Sequence, residues 1–190
     1  MVKLGKLLQL RPNGEAELGD AGLAAACATG DRTAQSMLFE RHVDAVYRFI
    51  AQMRGADPQA VDDLVQATFI AAFQSIGTYR GPKLLSWLFG IATNILRSYV
   101  RKEISVKRVA LALVAEPEPA AARGPLPELV QLREAVDRLP RKLREVIVLV
   151  DLEGREGSEV AEALRISESA VWRRLAAARA ALREQLGGDA

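Results

Sequence analysis

The 190-residue chain holds one cysteine and one histidine, two tryptophans and three tyrosines. No apolar run approaches the roughly 20 residues that a membrane helix needs. Each scarcity excludes something. A lone Cys27 among alanines cannot form an internal disulfide, and a small buried hydrophobe is expected there. With one histidine, one cysteine, no glycine-rich phosphate loop and no metal-ligand cluster, nothing assembles a nucleophile with a base or an open metal site. No catalytic residue, metal site or cofactor is therefore expected, and His42, beside Arg41, reads as a packing or surface residue. The start, MVKLGKLLQLRPNG, has too short an apolar stretch for a signal peptide, so a cytoplasmic protein without membrane insertion is expected. Alternating apolar and polar runs between hairpin turns are also missing. Alanine, leucine, arginine and glutamate dominate, which predicts an all-α fold.

What is present is helical periodicity in two blocks. A short helix around Gly22 to Thr29 ends at Gly30. Asp31 caps a longer one with Phe39, Val43, Val46, Tyr47, Ile50 and Met53 on its apolar face, closed by Gly55. Asp57-Pro58 starts the next, and after the loop GTYRGPK a long helix carries Leu84, Leu88, Ile91, Ala92, Ile95 and Tyr99 on one face. That makes a first domain over 21–110. Residues 115–127, AEPEPAAARGPLP, hold four prolines and can neither continue a helix nor pack a core. A Pro/Ala-rich linker over 111–127 thus leads to a second small helical domain over 128–186, with a tail at 187–190.

The stretch VDDLVQATFIAAFQSI at 61–76 puts Val61, Leu64, Val65, Thr68, Ala72, Phe73 and Ile76 on one stripe. Asp62, Asp63 and Gln66 lie off that stripe. They read either as a solvated face near a helix start or as a polar patch for a partner.

Net charge is only +2, but it is unevenly spread. Residues 97–108 hold five cations against one acid, and 165–183 hold five arginines against one glutamate. The second block lies in two helices joined by Arg165-Ile166-Ser167, with Val160, Ala161, Leu164, Ile166, Val171 and Leu175 apolar. This is a helix-turn-helix pattern. Ser167 is placed to cap the second helix, leaving Glu168, Ser169, Ala170, Trp172, Arg173 and Arg174 near the end that such motifs push into the DNA major groove. Arg165 stands where glycine is usual, so it must adopt a left-handed conformation or alter the turn.

The order of these features resembles the extracytoplasmic-function (ECF) sigma factors. Asp63-Leu64-Val65-Gln66 with Thr68-Phe69 is similar to the family's Asp-Leu-Val-Gln-Glu-Thr-Phe, with Ala67 in place of the glutamate. Tyr79-Arg80-Gly81, Trp87-Leu88, Ile91-Ala92 and Asn94 resemble its Phe-Arg-Gly, Trp-Leu and Ile-Ala-x-Asn. Leu139-Pro140, Arg144-Glu145-Val146, Leu152-Glu153-Gly154, Val160-Ala161-Glu162 and Arg174 through Arg179 follow its region 4. The resemblance implies core polymerase binding through Asp62, Asp63, Leu64, Val65, Gln66, Thr68 and Phe69, facing the beta-prime clamp helices, with the beta flap as a further contact. It implies capture of the unpaired minus 10 strand by the loop at 77–83 with Tyr79, Arg80, Lys83, Asn94, Arg97, Arg101 and Lys102. Tyr79, which could stack on a base, and Trp87 each read first as core residues, and Asn94 as bonding either the loop backbone or a base. It implies reading of the minus 35 duplex by Ser167, Glu168, Ser169, Ala170, Trp172, Arg173, Arg174 and Arg179, and an anti-sigma factor as inhibitor.

The chain departs from that pattern in a loop of five residues, Pro82 to Ser86, where six are common, in Leu84 for an aromatic, and in Trp172 for a frequent lysine. An unusual minus 35 preference is expected. Residues 1–20 have no counterpart and read as disordered or as a device of this chain. The competing reading is a helix-turn-helix regulator acting without polymerase docking, which leaves the patch at 62–66 unexplained. A helical adaptor with no DNA role predicts no salt-dependent DNA affinity.

Overall fold

Aspartates begin two of the three long helices of the first domain where the sequence predicts them. Asp31 Oδ1 accepts from the N–H groups of Thr33 and Ala34 at 2.8 and 3.2 Å, and Asp57 Oδ1 from that of Ala60 at 3.3 Å. The computed structural model describes residues 8–10, 16–54, 57–110 and 127–187. Gly55, the linker at 111–126 and the last residues, 188–190, lie outside them. Helices α1 (Asp20–Ala28), α2 (Arg32–Arg54), α3 (Pro58–Ser75) and α4 (Leu84–Ala110) form one bundle. Helices α5 (Pro127–Arg138), α6 (Arg141–Ile147), α7 (Gly157–Leu164) and α8 (Glu168–Gly187) form the second. The fold is all-α but for a small antiparallel hairpin ahead of α1. In it β1 (Leu8–Leu10) pairs with β2 (Ala16–Leu18), Leu8 opposite Leu18. Three-residue strands are too short to show a period, so the sequence carries no sign of them.

In the first bundle, Leu38, Val46, Phe49 and Ile50 of α2, Val61, Leu64 and Ala72 of α3, and Leu84, Leu88, Phe89 and Ala92 of α4 are buried together. Asp20 ties this bundle at a distance: its Oδ2 accepts the first N–H of α4, from Leu84, at 2.7 Å. Cys27 is buried as expected, and burial pushes its thiol pKa up.

His42 is buried, and its Nε2 has no hydrogen-bond partner. Burial chiefly, with nearby Arg41 adding to it and Asp20 opposing, pulls its pKa below the ordinary 6.5. Because the folded value is the lower one, the unfolded chain binds the extra proton. Stability present above about pH 6.5 is lost as pH falls below it. Urea midpoints at pH 7.5 and 5.5 are expected to differ more for the wild-type protein than for His42→Leu.

The second bundle is built around α8, against which α5, α6 and α7 pack. Pro140 breaks the chain between α5 and α6, and the Arg144 guanidinium closes the end of α5 by donating to the carbonyls of Asp137 and Leu139. Helix α6 continues into one π-helical turn, Val148–Leu152, before Gly154 turns the chain at φ +62°. Arg165 does adopt the left-handed conformation, φ 55° and ψ 50°, at a cost of about 1 kcal/mol. Ser167 Oγ then accepts the N–H of Ala170 at 3.3 Å, so α8 starts where predicted. The bundles meet mainly where α4 lies along α7.

Candidate partner and nucleic-acid interfaces

Three surfaces collect the residues singled out in the sequence. The first is an open groove of about 670 Å³ between α2 and α3. Asp62, Asp63 and Gln66 stand exposed along its edge, in the second turn of α3. Val65 and Phe69 are buried and form its floor, whereas Leu64 and Thr68 are turned into the core and do not line it. The Thr68 hydroxyl is satisfied by the Leu64 carbonyl at 2.7 Å. Three further members escaped the sequence reading. Phe39 and Tyr47 of α2, read as part of a core face, are 40% and 39% exposed, and Ile70 of α3 is 50% exposed. Phe39 meets Phe69 edge to face at 4.8 Å. An apolar cleft with acids on its rim suits a partner helix that is basic at its edge and apolar at its centre.

The second surface is the loop before α4 and the first turns of that helix. Tyr79 is buried against Trp87, centroids 5.8 Å apart, and so belongs to the core in this arrangement. Burial, then nearby Asp20 and Glu162, pushes its phenol pKa up to about 12, which keeps it protonated at physiological pH. Arg80 folds over the loop and donates to the carbonyls of Gly77 and Tyr79, each at 2.7 Å. A cleft of about 510 Å³ opens beside Arg80, Trp87 and Asn94, and its far wall is made by Glu162 and Arg165 of the second domain. Lys83 is ion-paired to Glu159, and the Arg97 guanidinium holds Glu145 with two bonds of 3.1 and 2.7 Å. These carboxylates raise the pKa of both cations. Arg101 and Lys102 are exposed further along α4.

The third surface is the start of α8. Ser167, Glu168, Ser169, Trp172 and Arg173 are exposed, Arg174 is half-buried and Ala170 is buried. Trp172 is 47% exposed, and its ring lies over Gly157 of α7, where a Cβ would sit 2.5 Å from Cζ2. Its indole N–H donates to Glu168 at 3.3 Å. Arg179 is three turns along and is drawn aside by Asp151, with bonds of 3.0 and 2.6 Å.

The two helical domains, the second ending in a helix-turn-helix, each match a region of the sigma-70 class. Residues 38–104 match Sigma-70 region 2, and residues 129–182 match Sigma-70 region 4. The ECF RNA polymerase sigma factor SigE of Mycolicibacterium smegmatis is 32% identical over 176 residues, which span 87% of this chain and 67% of the relative. SigM of Mycobacterium tuberculosis is also 32% identical, spanning 92% of this chain and 88% of that one. The solved structure of CnrH in complex with the cytosolic domain of CnrY superimposes with a TM-score of 0.67 at 30% identity, over 88% of this chain and 97% of that one. The chain belongs to the ECF RNA polymerase sigma factors, which are transcription initiation factors. No helix among the described residues is long and apolar enough to cross a membrane.

Proposed function

We infer that the chain docks on core RNA polymerase through the α2–α3 groove, with Asp62, Asp63 and Gln66 orienting a basic helix of the beta-prime clamp and Phe39, Tyr47, Phe69 and Ile70 supplying apolar burial. The single observation behind this is an exposed apolar groove edged by carboxylates on a domain separate from the DNA-reading helix. A regulator that only bound duplex DNA would have no use for it. The second domain contacts the beta flap and reads the minus 35 duplex with Glu168, Ser169, Trp172 and Arg173. Arg174 contacts phosphate, and Ser167 and Ala170 hold the start of α8. The loop at 77–83 and α4 take the unpaired minus 10 strand, with Arg80, Lys83, Arg97, Arg101 and Lys102 neutralising phosphates and Asn94 lining the pocket for a base. Binding free energy offsets the few kcal/mol lost in unstacking, so no covalent chemistry is needed. The protein acts in the cytoplasm, and an anti-sigma factor, as CnrY accompanies CnrH, is its expected inhibitor.

The test is comigration with sigma-free core polymerase on a sizing column. The wild-type chain is expected to comigrate, and the double variant Asp63→Ala, Gln66→Ala to lose about tenfold or more in affinity. A wild-type chain that binds DNA yet stays free of core would leave a helix-turn-helix regulator as the reading.

A further inference from the structure

Between Glu168 and Ala178 the side chains that α8 leaves exposed are Glu168, Ser169, Trp172, Arg173, Ala176 and Ala177, and one turn further comes Ala180. From Ser169 onward these recur at steps of three and four, so they form one stripe along the helix. Single exposed apolar residues are ordinary on a protein surface. Here a tryptophan and three alanines share a stripe with one serine and one cation. Arg174 is half-buried, and Arg179, at the edge of the stripe, is held by both oxygens of Asp151. Between Arg173 and Ala180 the stripe therefore offers a base edge methyl groups and no hydrogen-bonding side chain.

The ring of Trp172 is held where it stands. Gly90 of α4 and Gly157, which opens α7, both lie outside the left-handed region, so backbone conformation calls for glycine at neither. A Cβ at Gly90 would lie 3.0 Å from the Ala163 carbonyl oxygen, which is helix packing. A Cβ at Gly157 would instead lie 2.5 and 2.8 Å from Cζ2 and Cε2 of Trp172 and 3.0 Å from Oε1 of Glu168. The missing side chain is the seat of the indole. Glu168, one turn before Trp172, accepts the indole N–H at 3.3 Å and tethers its edge. With its only donor occupied, the indole has apolar surface left to offer, and 47% of the residue is exposed. A ring fixed in this way loses little rotamer freedom when a ligand arrives.

In the major groove the apolar group on a base edge is the C5-methyl of thymine, and alanine and aromatic side chains contact it. We propose, on the reading that α8 enters the minus 35 duplex, that the seated Trp172 ring, with Ala176 and Ala177 beside it, selects that duplex by its thymine methyl groups. Gly157 and Glu168 are positioning residues for the ring. The polar members of the stripe carry a smaller share: Ser169 bonds to any base, and Arg173 takes a guanine or a phosphate. A methyl group removed from water is worth about fourfold in affinity, so two of them give about tenfold or more.

The experiment loads the full chain on sigma-free core polymerase and passes a pool of randomised duplexes over it. The upstream element enriched among the retained molecules is then synthesised twice, with thymidine or with deoxyuridine at its T positions, which removes the methyl and keeps every hydrogen bond. Competition binding reads the ratio of the two affinities. The wild-type chain is expected to favour the thymidine duplex about tenfold or more. Trp172→Ala is expected to bring the ratio close to one, as is Gly157→Ala, which suits the helix backbone but pushes the ring off its seat. Glu168→Gln can still accept the indole N–H and is expected to keep the ratio. Damage to the fold or to a phosphate contact weakens both duplexes alike and leaves the ratio where it was. An enriched element without A·T pairs, or a ratio near one in the wild-type chain, overturns the methyl readout and leaves α8 as the duplex-reading helix. A ratio that survives in both Trp172→Ala and Gly157→Ala overturns Trp172 as the reader. Absence of any enriched upstream element overturns the duplex reading by α8, and the methyl readout with it.

Discussion

Replacing Phe49 by alanine is expected to lower the unfolding free energy of the first domain by about 3–5 kcal/mol, close to the loss of its fold. The ring is fully buried in the last third of α2 and meets Phe89 of α4 at 5.1 Å with a tilt of 58°. Its removal forfeits the transfer energy of the ring and the aromatic pair, which is worth a further ~1 kcal/mol. The surroundings cannot close over the gap. A cavity of about 160 Å³ already lies against Phe49, walled by Met53, Thr93 and Leu96 and by Arg144 and Glu145 of the second domain. The deleted ring merges with that cavity instead of being filled. Urea unfolding followed by circular dichroism reads the effect, with Phe39→Ala as contrast. Phe39 is of the same residue type but 40% exposed, and its truncation is expected to cost less than half as much. Equal losses at the two positions would mean that the α2–α4 packing is not what holds the domain.

The same helix shows what the sequence could and could not reveal. The spacing of apolar residues at three and four identified α2, Asp31 marked its start, and Phe49 could be inferred from its neighbours Val46 and Ile50. But a recurrence of three and four states only that residues share a face, not what covers it. Helix α2 is covered by α3 and α4 along Leu38, Val46 and Phe49, while Phe39 and Tyr47 extend past the edge of α3 into the groove. The helix-turn-helix was readable down to the strained Arg165, because cap, turn and periodicity are all local. The buried glutamates were not. Glu145 and Glu153 look like ordinary helix-surface acids, and the cations that make their burial tolerable lie 48 and 105 residues away. Gly90 was equally silent, since a glycine inside a helical pattern announces close approach without naming what approaches. Local signals fixed the elements; pairings between domains depend on contacts with no sequence period.

Placing aspartate at Ile70 is expected to weaken binding to core polymerase about a hundredfold or more while leaving the fold intact. Ile70 is half exposed on α3, one turn after Gln66, within the groove that Phe39 and Phe69 line. An exposed substitution of this kind moves stability by about 0.5 kcal/mol or less, because no packed neighbour is lost and the carboxylate stays in water. In a docked complex the same carboxylate is sealed against an apolar partner face. An unpaired buried charge costs several kcal/mol, and each 1.4 kcal/mol is a factor of ten in affinity. Asp62 and Asp63 cannot relieve it, since they carry the same sign and have their own cations to meet. The variant therefore separates apolar burial from charge steering: Asp63→Ala with Gln66→Ala should slow association and lower its salt dependence, whereas Ile70→Asp should speed dissociation. Surface-captured core polymerase with the variants in flow gives both rates, and Ile70→Leu is expected to bind as the wild-type chain does. An Ile70→Asp protein that dissociates no faster than wild type would remove the α2–α3 groove as the docking surface, whatever the acidic pair does.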